Sequence, residues 1–159
     1  MAQRVHVTVA MLQDQTGQRC SRSVFGRDPR RLVIADDSAD VRWTVRRAIG
    51  DRFADVVEVS DGRALLWTLL RASFAASAGT APELVVVTDL GISAYDGLAV
   101  LGAWRDAAPK VPLIVMTAEP SAAIYARAGE LGAFVLAKPF AIAALRSVVE
   151  HAVADRPEV

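Results

Sequence analysis

Apolar and polar positions alternate along the chain in blocks that predict five strands, each followed by a helix. The predicted strands are short apolar runs over residues 32–35, 56–59, 84–88, 113–116 and 134–136. Runs rich in β-branched residues are typical of strands that are buried on both faces of a sheet. The alternation predicts an α/β fold, a doubly wound five-stranded parallel sheet with helices on both faces.

The predicted helices place apolar residues on one face at helical spacing. The first, over 39–49, follows Ser38 as its N-cap and turns Val45 and Ile49 toward the core. Trp43 lies off that face, which leaves two interpretations, a partly exposed aromatic side chain or a contact with a partner. The fourth helix, over 121–131, is rich in alanine and poor in large apolar residues. We therefore expect it to be loosely anchored and able to move.

The first 29 residues differ from the rest of the chain. Val5, Val7 and Val9 alternate with polar residues as in a strand, and a polar stretch that contains Gly17 and Gly26 follows. This pattern predicts a flexible N-terminal leader over 1–29 and one folded domain over 30–155. We expect no output domain after it, so the protein would act through partners or be a fragment of a longer chain.

Composition fits a globular domain without a nucleic-acid or membrane surface. The chain has 159 residues, of which 53% are hydrophobic and 23% charged, so it can form a core and is not disordered. The 18 Lys and Arg balance the 18 Asp and Glu. A single cysteine, Cys20, excludes an intrachain disulfide. Because the sequence has neither a membrane-spanning apolar run nor a signal peptide, we expect a cytoplasmic protein.

Reactive side chains stand where the predicted strands end. Asp36 and Asp37 follow the first strand, Asp89 the third, Thr117 the fourth and Lys138 the fifth. Because the carboxyl ends of parallel strands share one edge of a sheet, we expect these side chains to gather there. Each alone has an ordinary explanation, such as a helix cap for Asp37 or a surface position for Lys138. Together, at successive strand ends, they indicate a site.

The expected cluster suits phosphoryl chemistry that is assisted by a magnesium ion. Three neighbouring carboxylates repel one another, and a divalent cation relieves that repulsion. Oxygen ligands fit Mg²⁺, while the lack of His or Cys near any strand end disfavours zinc. Lys138 supplies a positive charge and Thr117 a hydroxyl donor for phosphoryl oxygens. The pattern therefore predicts an aspartate that accepts a phosphoryl group.

An ordered set of motifs resembles the response-regulator receiver domains of two-component signalling, the CheY-like superfamily. The motifs are Asp36-Asp37, Thr88-Asp89-Leu90, Asp96-Gly97, Met116-Thr117-Ala118 and Lys138-Pro139-Phe140. Each is weak alone, but the set in this order is highly specific and covers about residues 31–154. The resemblance implies a flavodoxin-like strand order, 2-1-3-4-5, and a cis bond between Lys138 and Pro139.

The resemblance also implies a phosphoacceptor and its metal ligands. Asp89 would accept the phosphoryl group. Asp37 would bind Mg²⁺ directly, and Asp36 would do so mainly through water. Asp89 and the backbone carbonyl of Gly91 would complete the protein ligands.

A conformational switch is a further implication of the resemblance. Lys138 would bridge Asp89 and the phosphoryl group. Thr117 would move to bond a phosphoryl oxygen and would shift the fourth helix, the fifth strand and the fifth helix. The fifth strand departs from the family, because Val135 stands where a switch aromatic is usual. Phe134 is adjacent but falls on the opposite face of a regular strand, so coupling through it would need a shifted register.

The loop after the phosphoacceptor departs from the family as well. Ser93 replaces the usual proline, and Gly91 is small where a side chain often shields the site. Together they predict a looser loop and a more open phosphoryl group. With Glu119 near enough to orient a water molecule, we expect hydrolysis that is not especially slow.

Two functional hypotheses follow. In the first, the domain takes a phosphoryl group from a sensor histidine kinase or a histidine phosphotransfer protein and signals to a downstream protein. It would promote only its own phosphorylation and dephosphorylation, without nucleic-acid or membrane partners, and pairing of two copies stays open. In the second, it is a phosphorylation-independent interaction module, a pseudo-receiver. A phosphatase of the haloacid-dehalogenase type is weaker, because residues 36–40 do not fit the pattern DxDx[TV].

Overall fold

The computed structural model describes residues 27–77, 79, 83–92, 97–106 and 111–155. These residues form five strands that alternate with helices, as predicted. The strands are β1 (Asp28–Ala35), β2 (Phe53–Val59), β3 (Leu84–Asp89), β4 (Leu113–Thr117) and β5 (Phe134–Ala137). The helices are α1 (Ala39–Ile49), α2 (Gly62–Ser77), α3 (Gly97–Arg105), α4 (Ala122–Glu130) and α5 (Ile142–Ala154), with a 3-10 turn at Gly50–Arg52.

The strands form a parallel sheet in the order β2-β1-β3-β4-β5, which confirms the predicted fold. β3 lies at the centre of the sheet, and each of its six residues is buried. The helices that cover both faces leave the carboxyl edge as the place where strand-end side chains can meet a ligand. Asp89, the last residue of β3, therefore stands at the middle of that edge.

The core has one apolar layer on each face of the sheet, because alternate residues of a strand point to opposite faces. One layer joins β1, β3 and β4 to α1 and α5 through residues that include Ile34, Val45, Ile49, Val87, Ile114, Leu145 and Val148. The other joins the same strands to α2 and α3 through residues that include Val33, Leu65, Leu69, Val86, Leu98, Leu101, Trp104 and Val115. The predicted core face of α1 is confirmed by these contacts.

β1 begins earlier than predicted, since it takes in Asp28 and Pro29, which the sequence assigned to the leader. Polar residues hid this part of the strand, but their side chains form ion pairs. Nε of Arg30 donates to Asp28 at 2.7 Å, and Nε of Arg31 donates to Asp55 of β2 at the same distance. The remainder of the predicted leader, residues 1–26, lies outside the described residues.

α1 and α4 are capped alike but packed differently. The Ser38 hydroxyl accepts from the backbone N–H of Val41 at 3.4 Å, and the Ser121 hydroxyl accepts from Ile124 at 3.3 Å. Of the nine residues of α4, all of them described, Ala128 is the one that is buried. The alanine-rich sequence thus gives a helix with a defined start and little tertiary anchoring, as predicted.

Large aromatic side chains remain on the outer faces of α1 and α2. Trp43 is 61% exposed, and the guanidinium of Arg47 lies 5.3 Å from the centre of its ring. Trp67 and Phe74, both on α2, are 59% and 76% exposed. Within the described ranges, no helix combines the length and the apolar character that crossing a membrane requires.

Candidate functional site

Asp36 anchors the site as a fully buried carboxylate at the end of β1. The backbone N–H of Ser38 donates to its Oδ1 at 2.9 Å, and Nζ of Lys138 donates to its Oδ2 at 2.6 Å. A buried charge is tolerated when it is paired and hydrogen-bonded, and both conditions hold here. Asp36 is consequently fixed through each of its two oxygens.

Asp89 shares the same ammonium group but keeps one oxygen free. Nζ of Lys138 lies 2.8 Å from Oδ1 of Asp89, while Oδ2 accepts no hydrogen bond from any described residue. Gly91 is responsible for the open side, because a Cβ atom at that position would lie 3.0 Å from Oδ2. Asp89 is 7% exposed, so it is a largely buried carboxylate with one accessible oxygen.

Lys138 follows β5, and its peptide bond with Pro139 is cis, as predicted. Its backbone N–H donates to the carbonyl of Thr117 at 2.7 Å, which fixes the turn against β4. Burial acts to lower the pKa of Lys138, but the hydrogen bonds and negative charges of Asp36 and Asp89 outweigh it and raise that pKa above its ordinary value. The side chain is therefore a stable cation between two carboxylates.

Thr117 ends β4 beside Asp89, and its side chain is buried. Its Oγ1 accepts a hydrogen bond from the backbone N–H of Glu119 at 3.2 Å. The hydroxyl proton has no acceptor among the described residues, so it remains available to an oxygen placed at the edge of the sheet. Glu119 itself is exposed in the loop before α4.

Asp37 is not gathered into the cluster as the sequence predicted. It is exposed, and its carboxylate has no hydrogen bond or ion pair with a described residue. The described part of the chain accordingly holds no group of three Asp, Glu, His or Cys side chains arranged around one point as metal ligands. The structure joins Asp36, Asp89 and Lys138, because the ammonium draws the two buried carboxylates together.

The donors are nonetheless of the kind that a magnesium ion takes. The strand ends keep a net negative formal charge, because three carboxylates face the single ammonium of Lys138. The carboxylates are those of Asp36, Asp37 and Asp89. Carboxylate oxygens, together with the backbone carbonyl of Gly91, are hard ligands that suit Mg²⁺. The accessible Oδ2 of Asp89 and the exposed Asp37 leave these donors open to a cation from solvent.

Arg42 belongs to the site although the sequence assigned it no role. Its Nη1 donates to the backbone carbonyls of Asp36 at 2.8 Å and Asp37 at 3.3 Å. Its Nε lies 3.6 Å from Oε2 of Glu58 on β2. The sequence feature that could have indicated this contact is the position of an arginine near the start of α1, from which its long side chain can reach back over the preceding loop.

The two candidate switch residues of β5 lie on opposite faces, as alternation predicts. Val135 pairs in register with Val115, and Phe134 pairs with Ile114. Phe134 is partly buried against the layer that α1 and α5 cover. Ser93 and Asp96, in the loop after β3, lie outside the described residues.

Comparison with known proteins identifies the family. The model of the response regulator receiver domain matches residues 32–150. The DNA-binding transcriptional regulator NtrC of Salmonella typhimurium is 30% identical over 126 residues, which are 79% of this chain and 25% of that protein. NtrC of Escherichia coli is 29% identical over the same length and with the same coverage. The chain thus spans 25% of the length of these relatives.

Solved structures agree on the fold. The chemotaxis response regulator CheY4 of Vibrio cholerae superposes with a TM-score of 0.64 at 23% identity, covering 78% of this chain and 98% of that one. The apo receiver domain of nitrogen regulatory protein C gives 0.61 at 29% identity, covering 80% and 96%. Since the family model matches most of the sequence and the site residues occupy the expected strand ends, the chain belongs to the response-regulator receiver domains, the signalling modules of two-component systems.

Proposed function

We propose that this receiver domain accepts a phosphoryl group on Asp89 and passes the signal to a downstream protein. The donor would be a sensor histidine kinase or a histidine phosphotransfer protein. The observation that carries the proposal is the state of the Asp89 carboxylate. One oxygen is held 2.8 Å from Lys138, and the other is accessible beside Gly91, where a nucleophile must meet its phosphorus atom.

The proposed transfer moves one phosphoryl group between two side chains. Oδ2 of Asp89 attacks phosphorus, the N–P bond of the donor phosphohistidine breaks, and the imidazole leaves with the electron pair of that bond. An acyl phosphate remains on Asp89. Bound Mg²⁺, with Asp36, Asp37, Asp89 and the carbonyl of Gly91 as the proposed protein ligands, would neutralise charge on the phosphoryl oxygens.

Lys138 and Thr117 would then respond to the new group. The ammonium of Lys138 stands close enough to Asp89 to pair with a phosphoryl oxygen. The unused hydroxyl proton of Thr117 would be donated to another, which would draw the loop before α4 toward Asp89. All residues of α4 are described, and Ala128 is the one that is buried. A shift of this helix therefore disturbs little packing. We propose that α4, β5 and α5 present the changed surface to the target.

Intact mass after incubation with acetyl phosphate and Mg²⁺ tests the proposal. We expect the wild-type chain to gain one phosphoryl group and Asp89→Asn to gain none. Asp55→Asn removes a surface carboxylate that pairs with Arg31, and it serves as the matched control that should still be phosphorylated. If neither the wild type nor the control gains mass and Mg²⁺ binding is also absent, the result would favour the phosphorylation-independent interaction module.

The lifetime of the phosphorylated form can be followed in the same samples. Once acetyl phosphate is removed, the accessible side of Asp89 next to Gly91 would let water reach the acyl phosphate. Glu119, whose backbone N–H donates to Thr117 at the neighbouring strand end, would orient that water. We expect loss of the phosphoryl group within hours. A phosphorylated form that lasts for days would contradict the open-site interpretation while leaving the phosphoacceptor role intact.

A further inference from the structure

We propose that Arg42 is a positioning residue that sets the magnesium affinity of the receiver by holding the backbone of the acidic loop. The inference rests on the proposed function, because it concerns the ion that phosphorylation of Asp89 would use. It adds a residue of α1 that lies outside the strand-end set.

The backbone is the part of the loop that decides where Asp37 points. The carboxylate of Asp36 is held by Ser38 and Lys138, whereas that of Asp37 has no partner among the described residues. The position of Asp37 therefore depends on its main chain. Arg42 fixes that main chain through one nitrogen, Nη1, which donates to the backbone carbonyls of Asp36 at 2.8 Å and Asp37 at 3.3 Å. These carbonyls belong to the two peptide groups that flank the Cα atom of Asp37.

Glu58 holds the guanidinium in this orientation. Its Oε2 lies 3.6 Å from Nε of Arg42, and its Oε1 accepts from Arg46 at 2.8 Å. Arg46 shares this carboxylate but donates to neither loop carbonyl within the described part of the chain. Arg42 and Arg46 thus share the Glu58 carboxylate but differ in their contact with the loop, and Arg46 supplies a matched control.

Charge and positioning make opposite predictions for Arg42→Met. Removing a cation beside a cation site reduces repulsion, so charge alone would tighten Mg²⁺ binding. Releasing the loop would weaken binding, because groups that orient metal ligands typically affect metal affinity by about 10–100-fold. The direction of the change therefore distinguishes a positioning residue from a simple electrostatic neighbour.

Isothermal titration calorimetry of Mg²⁺ on the full, unphosphorylated chain measures this directly. We expect Arg42→Met to weaken binding about tenfold, Glu58→Gln to weaken it less, and Arg46→Met to leave it near the wild-type value. Thermal unfolding of each variant confirms that it is folded. Arg42→Gln, which removes the same charge with a polar side chain, carries the test if Arg42→Met does not fold.

The outcomes separate this inference from the proposed function. If Arg42→Met binds Mg²⁺ as tightly as the wild type or more tightly, Arg42 has no positioning role, although phosphorylation of Asp89 can still occur. An equal loss in Arg42→Met and Arg46→Met would also overturn it, because the effect would then follow the shared Glu58 pair. A wild-type chain that binds Mg²⁺ yet gains no phosphoryl group contradicts the proposed function alone.

Discussion

The loops that follow β1 and β4 leave the same edge of the sheet, on either side of β3, yet they are held in very different ways. After β1, Asp36 is buried and bonded through both oxygens, and Arg42 fastens the carbonyls of the loop. After β4, Thr117 accepts one hydrogen bond from the loop that precedes α4. One edge of a sheet can therefore combine a firmly held carboxylate with a loosely held loop.

The helices that follow the two loops explain much of this difference. α1 buries Val45, Ala48 and Ile49, whereas α4 buries Ala128 alone of its described residues. Full burial of a valine or isoleucine side chain stabilises by about 1.5–3 kcal/mol, so Val45 and Ile49 together anchor α1 by about 3–6 kcal/mol. If Asp89 is phosphorylated as proposed, a shift of α4 would disturb less packing than a shift of α1.

The largest expected effect comes from replacing Lys138, which pairs with the buried Asp36 in the loop after β1. Lys138→Met leaves the buried carboxylate of Asp36 without its cation, and we expect the free energy of unfolding to fall by about 3–5 kcal/mol. Urea denaturation measures the change. Arg31→Met, which removes an exposed ion pair with Asp55, is the control and should cost about 1 kcal/mol or less. Equal losses in the two variants would show that burial of Asp36 does not matter.

Truncating one side chain on each helix would sharpen the comparison. We expect Val45→Ala on α1 to lower the free energy of unfolding by about 2 kcal/mol, since it leaves a cavity in the core. Ile124→Ala on α4 removes a half-buried side chain and should cost about 1 kcal/mol or less. The same urea titration applies to both. A larger loss at Ile124 would mean that α4 is the better anchored helix.

The smallest effect concerns pH and again involves Lys138. Because its pKa is raised above the ordinary value of 10.5, its ion pairs stabilise the fold fully below that pH. The contribution is lost as pH rises through the raised pKa of the folded state. The difference in unfolding free energy between wild type and Lys138→Met should stay constant near neutrality and shrink in strong alkali. A difference that already shrinks near pH 8 would contradict a raised pKa.

Much of the fold follows from local patterns that the sequence displays. Ser38 and apolar spacing predict α1 with its observed bounds, and the apolar runs predict each strand and its polar end. The early start of β1 was missed because Arg30 and Arg31 enter the sheet as ion-paired residues. Local periodicity contains no information about partners that distant segments supply.

The candidate site likewise has parts that local sequence patterns predict and parts that they miss. Asp36, Asp89, Thr117 and Lys138 were found because strand ends are readable and parallel strands share an edge. The exposed position of Asp37 was missed, since the order of residues after a strand does not show which side chain the folded loop buries. The contacts of Arg42 were missed because they need Glu58 from the neighbouring strand.

The exposed aromatics on α1 and α2 have a consequence for how such domains diversify. The side chains of the candidate site all lie at strand ends, so the outward surfaces of the helices do not contribute to that site. Trp43, Trp67 and Phe74 occupy that outer layer. Substitutions there can change the outer surface and leave the strand-end cluster as it was. The surface and the cluster are therefore separable, so one can vary in such a domain while the other is kept.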